Sequence, residues 1–210
     1  MMYATHKAGG ALFALVGFEV LTKTQILQLN DIEPWLQLAL MYPACSFGST
    51  FPDLDHHWGS VKEHTPVNWV VHKILHLTKP KHRSWQTHCI LITTGFLALL
   101  FALLYALYVF RWGNIGDTSL SIVTLIVTGF GLGLASHLFL DAFTRSGIWL
   151  IPGVKLRLVP NNEHFSTGTP YETVVRVILC ILTALMLIWI VNPFGLQDLV
   201  LGLSGGASSA

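Results

Sequence analysis

Charge is scarce in this chain, and the shortage narrows its class before any motif is read. Asp, Glu, Lys and Arg together make up 11% of its 210 residues, where a soluble domain usually carries about 25%. No basic excess offsets this: the formal net charge is +1. Binding to a phosphate backbone needs such an excess, so nucleic acid is not an expected partner. Cysteine is equally thin. Cys45, Cys89 and Cys180 each lie inside an apolar run without CxxC spacing, which excludes a disulfide framework and a thiolate metal site. Met1 to Thr5 lacks a basic n-region, and Glu19 interrupts the first apolar run, so no cleaved signal is expected. Repeats and interdomain linkers are also lacking. One membrane-embedded domain is expected over residues 1–195, followed by a short tail over 196–210, Gly/Ser/Ala-rich from Leu203 and partly disordered.

What the chain has in quantity is apolar surface, 52% of its residues, with a mean hydropathy of +0.58. Five apolar segments carry it. Cys89 to Phe110 and Leu120 to Leu140 are long enough to span, since about 20 residues cover the hydrocarbon core. A further run from about Thr173 to Val191 ends at Asn192-Pro193. The first two, about Ala8 to Leu21 and Trp35 to Phe51, are shorter and suit tilted spans, buried bundle helices or re-entrant segments. Val67 to Leu77 reads as an amphipathic helix at the membrane surface. The fold class expected is therefore all-α: a polytopic membrane bundle of about five apolar helices plus one interfacial helix.

If all the segments cross, connections alternate between two sides. The N-terminal residues, the loop Pro52 to His88 and the loop Asp141 to Glu172 share one side. That side holds Lys7, Lys62, Lys73, Lys79, Lys81, Arg83, Arg145, Lys155, Arg157 and Arg176; the other keeps only Lys23 and Arg111. Such a bias makes the first side cytoplasmic. All ten histidines lie on or at the mouth of the same side. Histidines placed for packing would not sort this way, so a site is expected there.

Its candidate ligands follow from spacing. Pro52-Asp53-Leu54-Asp55-His56 puts two carboxylates and an imidazole within four residues, a set suited to zinc or manganese. An acidic turn capping a short helix would explain it equally well. His137 and Asp141 stand at i and i+4 on one helix face at the end of a long apolar span, where ionisable groups are costly. Gly129 and Gly133 continue that stripe and admit a close neighbouring helix. His82 and His88 precede the third segment, and His6 opens the first. His72 and His76 are also i, i+4, but on the amphipathic stretch, and read as interfacial residues. His57, His64 and His164 receive no role, and Glu19 reads as a snorkelling or bundle-pairing carboxylate.

In order, Thr5-His6, Pro52 to His56, His82-Arg83 with Thr87-His88, and Ser136 to Asp141 followed by Thr144 and Gly147 resemble the YdjM family. So does the stretch Pro152 to Pro160 with its Leu156-Arg157-Leu158 core. These are bacterial inner-membrane metal-dependent hydrolases, some of them LexA-regulated. The resemblance covers roughly residues 3 to 180. His82 and His88 stand one residue further apart than is usual, Ser84 replaces an expected Gly, and Arg145 follows Thr144 where a small or prolyl residue is expected. The resemblance also implies a role for Glu172 near the last helix. More loosely, the His/Asp set resembles zinc-dependent phospholipase C and the P1-type nucleases, which implies a phosphoester substrate without proving one.

The expected chemistry is metal-assisted hydrolysis. His6, Asp53, Asp55, His56, His82, His88, His137 and Asp141 are too many ligands for one tetrahedral ion, so two or more zinc ions, or manganese, are expected. Asp53, Asp55, His82 and Arg83 are the expected catalytic residues; Arg145, Arg157 and Glu172 are the expected substrate contacts. A site at the interface suits a lipid or lipid-linked phosphoester within the bilayer. Two rivals remain at this point: a metal transporter or sensor, and a membrane protein that uses metal only to pin its helices.

Overall fold

The computed structural model describes residues 3–24, 32–55, 83–110 and 117–191. Within them the chain is helical, as the apolar segments predict. α1 is Tyr3–Thr24, α2 Pro34–Gly48, α3 Ile90–Phe110, α4 Asp117–Ala142 and α5 Pro170–Val191. A 3-10 turn, Phe51–Asp55, follows α2. Pro34 and Pro170 each occupy the first turn of a helix, where a fixed φ helps and no N–H is missed.

α3, α4 and α5 are long and apolar enough to cross a membrane. α2, with 15 residues, covers only about 22 Å and is too short. α1 has the length but carries Lys7, Glu19 and Lys23. Large apolar side chains such as Leu99, Tyr105, Leu185 and Ile188 stand exposed on α3 and α5, the pattern of helices solvated by lipid rather than water.

α4 is the central element, packed against α1, α2 and α3. Its contact with α2 is backbone to backbone. A Cβ at Gly133 would collide with the Cys45 carbonyl, and one at Gly48 with the Phe130 carbonyl. Small residues on facing helices give dispersion contact where lipid supplies no hydrophobic drive. The glycine stripe thus does what its spacing predicts. Leu140 of α4 and Leu179 of α5 meet against Ala8, Leu12 and Val175.

The start of α1, the end of α2, the start of α3, the end of α4 and the start of α5 all lie at one end of this bundle. Contacts among His6, Ser49, His88, His137, Thr5 and Glu172 fix that arrangement. At the other end Trp189 donates to Glu19 (3.0 Å), which also pairs with Lys23 (2.7 Å). Glu19 is therefore a bundle-pairing carboxylate.

The helical expectation missed one feature. Ile148–Ile151 (β1) and Val154–Leu156 (β2) form an antiparallel hairpin around Pro152-Gly153, with Gly153 at φ +92°. An apolar run broken by Pro-Gly is a hairpin signal, readable in the residues themselves. Trp149 docks the hairpin on the chain before α3: its backbone N–H donates to the His88 carbonyl (2.8 Å), its indole to the Arg83 carbonyl (3.1 Å). The amphipathic stretch Val67 to Leu77, with His72 and His76, and the C-terminal tail lie outside the described residues.

Candidate metal centre

Five of the expected ligands converge at the shared end of the bundle: His6, Asp53, His88, His137 and Asp141. They come from the first turn of α1, the 3-10 turn after α2, the approach to α3, and the last turns of α4. His6, His137 and Asp141 form one group of close ligand atoms, and Asp53, His88 and His137 a second, so His137 belongs to both. His56 and His82 lie outside the described residues, as do His57 and His64, and the side chain of Asp55 is likewise not described. His164 is exposed on the loop before α5 and takes no part.

Burial makes this cluster expensive. The side chains of His6, His88, His137 and Asp141 have no exposed surface, and Asp53 keeps 13%. His6 Nε2 lies 3.3 Å from Asp141 Oδ1 and 3.8 Å from Asp53 Oδ2. Asp53 Oδ1 is 3.7 Å from His88 Nε2 and 3.8 Å from His137 Nε2. Asp141 Oδ2 is 3.5 Å and 3.6 Å from the same two nitrogens. The His6 and His137 rings stack with centroids 3.8 Å apart. Burial raises the Asp53 pKa, but attraction to His137, a bond from His88 and attraction to His6 outweigh it, holding the carboxyl well below its usual range. The resulting stabilisation is present above the ordinary carboxylate pKa and is lost only as pH falls through that lowered value.

The proton positions say more than the distances. His137 Nδ1–H donates to the Ser49 carbonyl at 2.8 Å, so its Nε2 keeps a lone pair aimed into the cluster. The Thr87 hydroxyl lies 2.9 Å from His88 Nδ1 and orients that ring, with its Nε2 turned into the same cluster. These two Nε2 atoms face each other at 3.2 Å. That spacing suits a shared cation, since nitrogens about 2.0–2.1 Å from a tetrahedral zinc stand roughly 3.3 Å apart. Neither ring nitrogen of buried His6 makes a hydrogen bond among the described residues, a cost that ligation would remove. The donor set fits a divalent ion.

Arg83 closes the cluster from outside. Its guanidinium donates to Asp141 Oδ1 and to the Thr144 hydroxyl, both at 3.3 Å. Its backbone sits at φ +58°, unusual for a residue with a side chain, and the indole bond to its carbonyl secures it there. Thr144 in turn donates to the Asp141 carbonyl at 2.7 Å. Arg145 and Arg157 line a polar cleft of about 420 Å³ next to Thr144.

Glu172 stands elsewhere. It is buried in the first turn of α5, accepting from the Thr5 hydroxyl (2.9 Å) and the Gly168 N–H (2.7 Å), and does not line that cleft. Through Thr5 it fixes the turn of α1 that carries His6. Removing the hydroxyl from this carboxylate with Thr5→Val is expected to cost about 1–3 kcal/mol. A thermal melt in detergent should move down accordingly; an unchanged midpoint would show that Thr5 does not hold Glu172. The roles of Thr5, Ser49 and Thr144 are not legible in the sequence. For two of the histidines a signal exists, because Thr precedes both His6 and His88.

Residues 1–204 match the family described as YdjM inner membrane protein, and the chain belongs to that family. Among the described residues, three helices long and apolar enough to cross a membrane agree with a membrane location. No curated protein and no solved structure matches it.

Proposed function

We propose that this YdjM-family membrane protein is a metal-dependent hydrolase acting on a phosphoester of a lipid or lipid-linked substrate at the cytoplasmic face. The observation that carries the reading is the paired, buried ligand set around His137, held with its Nε2 lone pair inward. Two ions fit this set better than one, because its five side chains exceed what a tetrahedral ion takes. Zinc suits the mixed imidazole and carboxylate donors, and manganese is the alternative.

His6, Asp53, His88, His137 and Asp141 would hold the ions, His137 through its one inward nitrogen and the carboxylates through either oxygen. Asp53 presents Oδ1 to His88 and His137 and Oδ2 to His6, so each of its oxygens could serve as a ligand. Divalent ions bound there supply Lewis acidity toward a phosphoryl oxygen and make water a nucleophile near neutral pH. Asp53 is the most exposed of the five, so the side of the centre that it lines is the one a water or substrate would reach first. Arg83, fixed by Asp141 and Thr144, sets the position of Asp141 and adds positive charge toward an anionic substrate. Asp55, His56 and His82 retain their proposed parts as further ligands or catalytic groups. The cytoplasmic assignment rests on the Lys/Arg bias of the connections at this end.

One observation favours a second reading, in which metal only pins the helices. Among the described residues, four of the five ligand side chains have no exposure at all. Turnover decides between the two. Detergent-purified protein loaded with zinc or manganese is expected to release phosphate or a phosphorylated head group from phosphatidic acid or a polyprenyl phosphoester, and chelation should abolish this. A metal-replete protein inert toward such substrates, yet losing thermal stability on chelation, would establish the structural role instead.

A further inference from the structure

The cleft beside the metal centre has a chemistry of its own. Its lining includes Arg145, Ser146, Arg157, Asn161, Ser166 and Thr167, and among the described residues that line it none is a carboxylate. Guanidinium, hydroxyl and amide donors without a competing anion are the complement of an oxyanion. Arg157 has no ion-pair partner among the described residues, so its charge is not spent within the fold. Arg145 is tied by its Nε to Asn161 (3.2 Å) and faces Glu163 across 3.6 Å, but Glu163 is 88% exposed and well screened.

The walls are also set in advance. The Arg145 N–H donates to the Phe165 carbonyl (3.0 Å) and the Leu158 N–H to the Ala142 carbonyl (2.8 Å), so the turn after α4 is cross-linked to the segment after β2. Gly147 sits at φ +62°, where a Cβ would collide with the Leu156 carbonyl and meet the Arg157 side chain. Only glycine lets Arg157 come so close to the Thr144–Ser146 turn. Thr144, buried and bonded to both Arg83 and Asp141, separates cleft from ligands by one residue.

We infer that this cleft is an anion subsite, which holds a phosphoryl group next to the metal centre. As a part of the substrate site it rests on the hydrolase reading, but oxyanion binding needs no turnover and is tested without it. Inorganic phosphate titrated calorimetrically into the full-length, metal-loaded protein is expected to bind. Arg157→Gln and Arg145→Gln should each weaken that binding about tenfold, the effect of one charge-assisted hydrogen bond. Arg157→Lys, which keeps the charge, should lose less, and metal content should not change in any of the three. Equal phosphate affinity in wild type and both Gln variants, or no binding in any of them, overturns the subsite.

Nanodiscs of phosphatidylcholine containing phosphatidic acid identify the source of the anion. Selective broadening of the phosphatidic acid phosphorus signal by wild type, and not by Arg157→Gln, assigns a lipid head group. Arginine-dependent phosphate binding without that broadening assigns a soluble anion. Either result supports the subsite. Phosphate binding that depends on the arginines in a protein without hydrolytic activity would remove the hydrolase reading and leave the subsite standing.

Discussion

His137→Ala is expected to strip the protein of its metal altogether. His137 belongs to both groups of ligand atoms, its Nε2 lying within 3.8 Å of Asp53 and Asp141 and 3.2 Å from His88. Removing that ring takes away the inward nitrogen common to both groups, whereas His6 and His88 each belong to one. Elemental analysis of the detergent-purified protein should find about two equivalents of zinc or manganese in wild type. His137→Ala should carry none, and His6→Ala about one. Asp53→Ala should also lose metal, because a proposed ligand goes with it, and hydrolytic activity should vanish in His137→Ala and Asp53→Ala alike. Membrane insertion should survive in each, since no lipid-facing side chain changes. Stoichiometric metal retained in His137→Ala would place the centre elsewhere and take the hydrolase reading with it.

The second large effect is expected at a residue that touches no ligand. Gly133→Val puts a branched side chain where even a Cβ would strike the Cys45 carbonyl and crowd the Ser49 backbone. Those neighbours are backbone atoms of α2 and its cap, so nothing flexible can move aside. Overpacking ordinarily costs about 1–3 kcal/mol, and a rigid collision between two helices belongs at the upper end. Separation of α2 from α4 also carries the Ser49 carbonyl away from His137 Nδ1, which frees the ring to rotate. The variant should therefore melt well below wild type in detergent and bind metal more weakly, with every ligand still present. Gly95→Val is the control: no atom lies within 4 Å of a Cβ there, and its melting point should hardly move. Equal stability of the two variants would show that the α2–α4 contact is looser than the backbone distances indicate.

The residues announce membrane, helices and the neighbourhood of the site. Apolar runs of helical length and few charges leave only helices or barrels as spanning structures, and the runs lack the alternation of barrel strands. His137 and Asp141 were legible as a pair because helical periodicity alone puts i and i+4 on one face. The hairpin at Ile148–Leu156 carried its Pro-Gly signal in plain view, but nine residues within a long connection do not announce themselves beside helices of twenty.

Other parts of the site depend on contacts between residues far apart in the chain. Ser49 orients His137 through a backbone carbonyl, a group every residue possesses, so its identity carries no signal. Glu172, given a role only by the resemblance, is buried against Thr5, 167 residues away, a contact no local pattern announces. Arg145 and Arg157, equally readable as topology markers, are brought to one cleft by the hairpin and the glycine at position 147.

By itself, then, the amino-acid order determined the helices and the set of residue types gathered at one end, because hydropathy and periodicity act over a few turns of chain. Only the tertiary structure decided which of the described histidines come together, that His137 turns its Nε2 toward the others, and that Glu172 bonds Thr5. Those outcomes follow from side-chain and backbone contacts across separate helices, which no local pattern encodes.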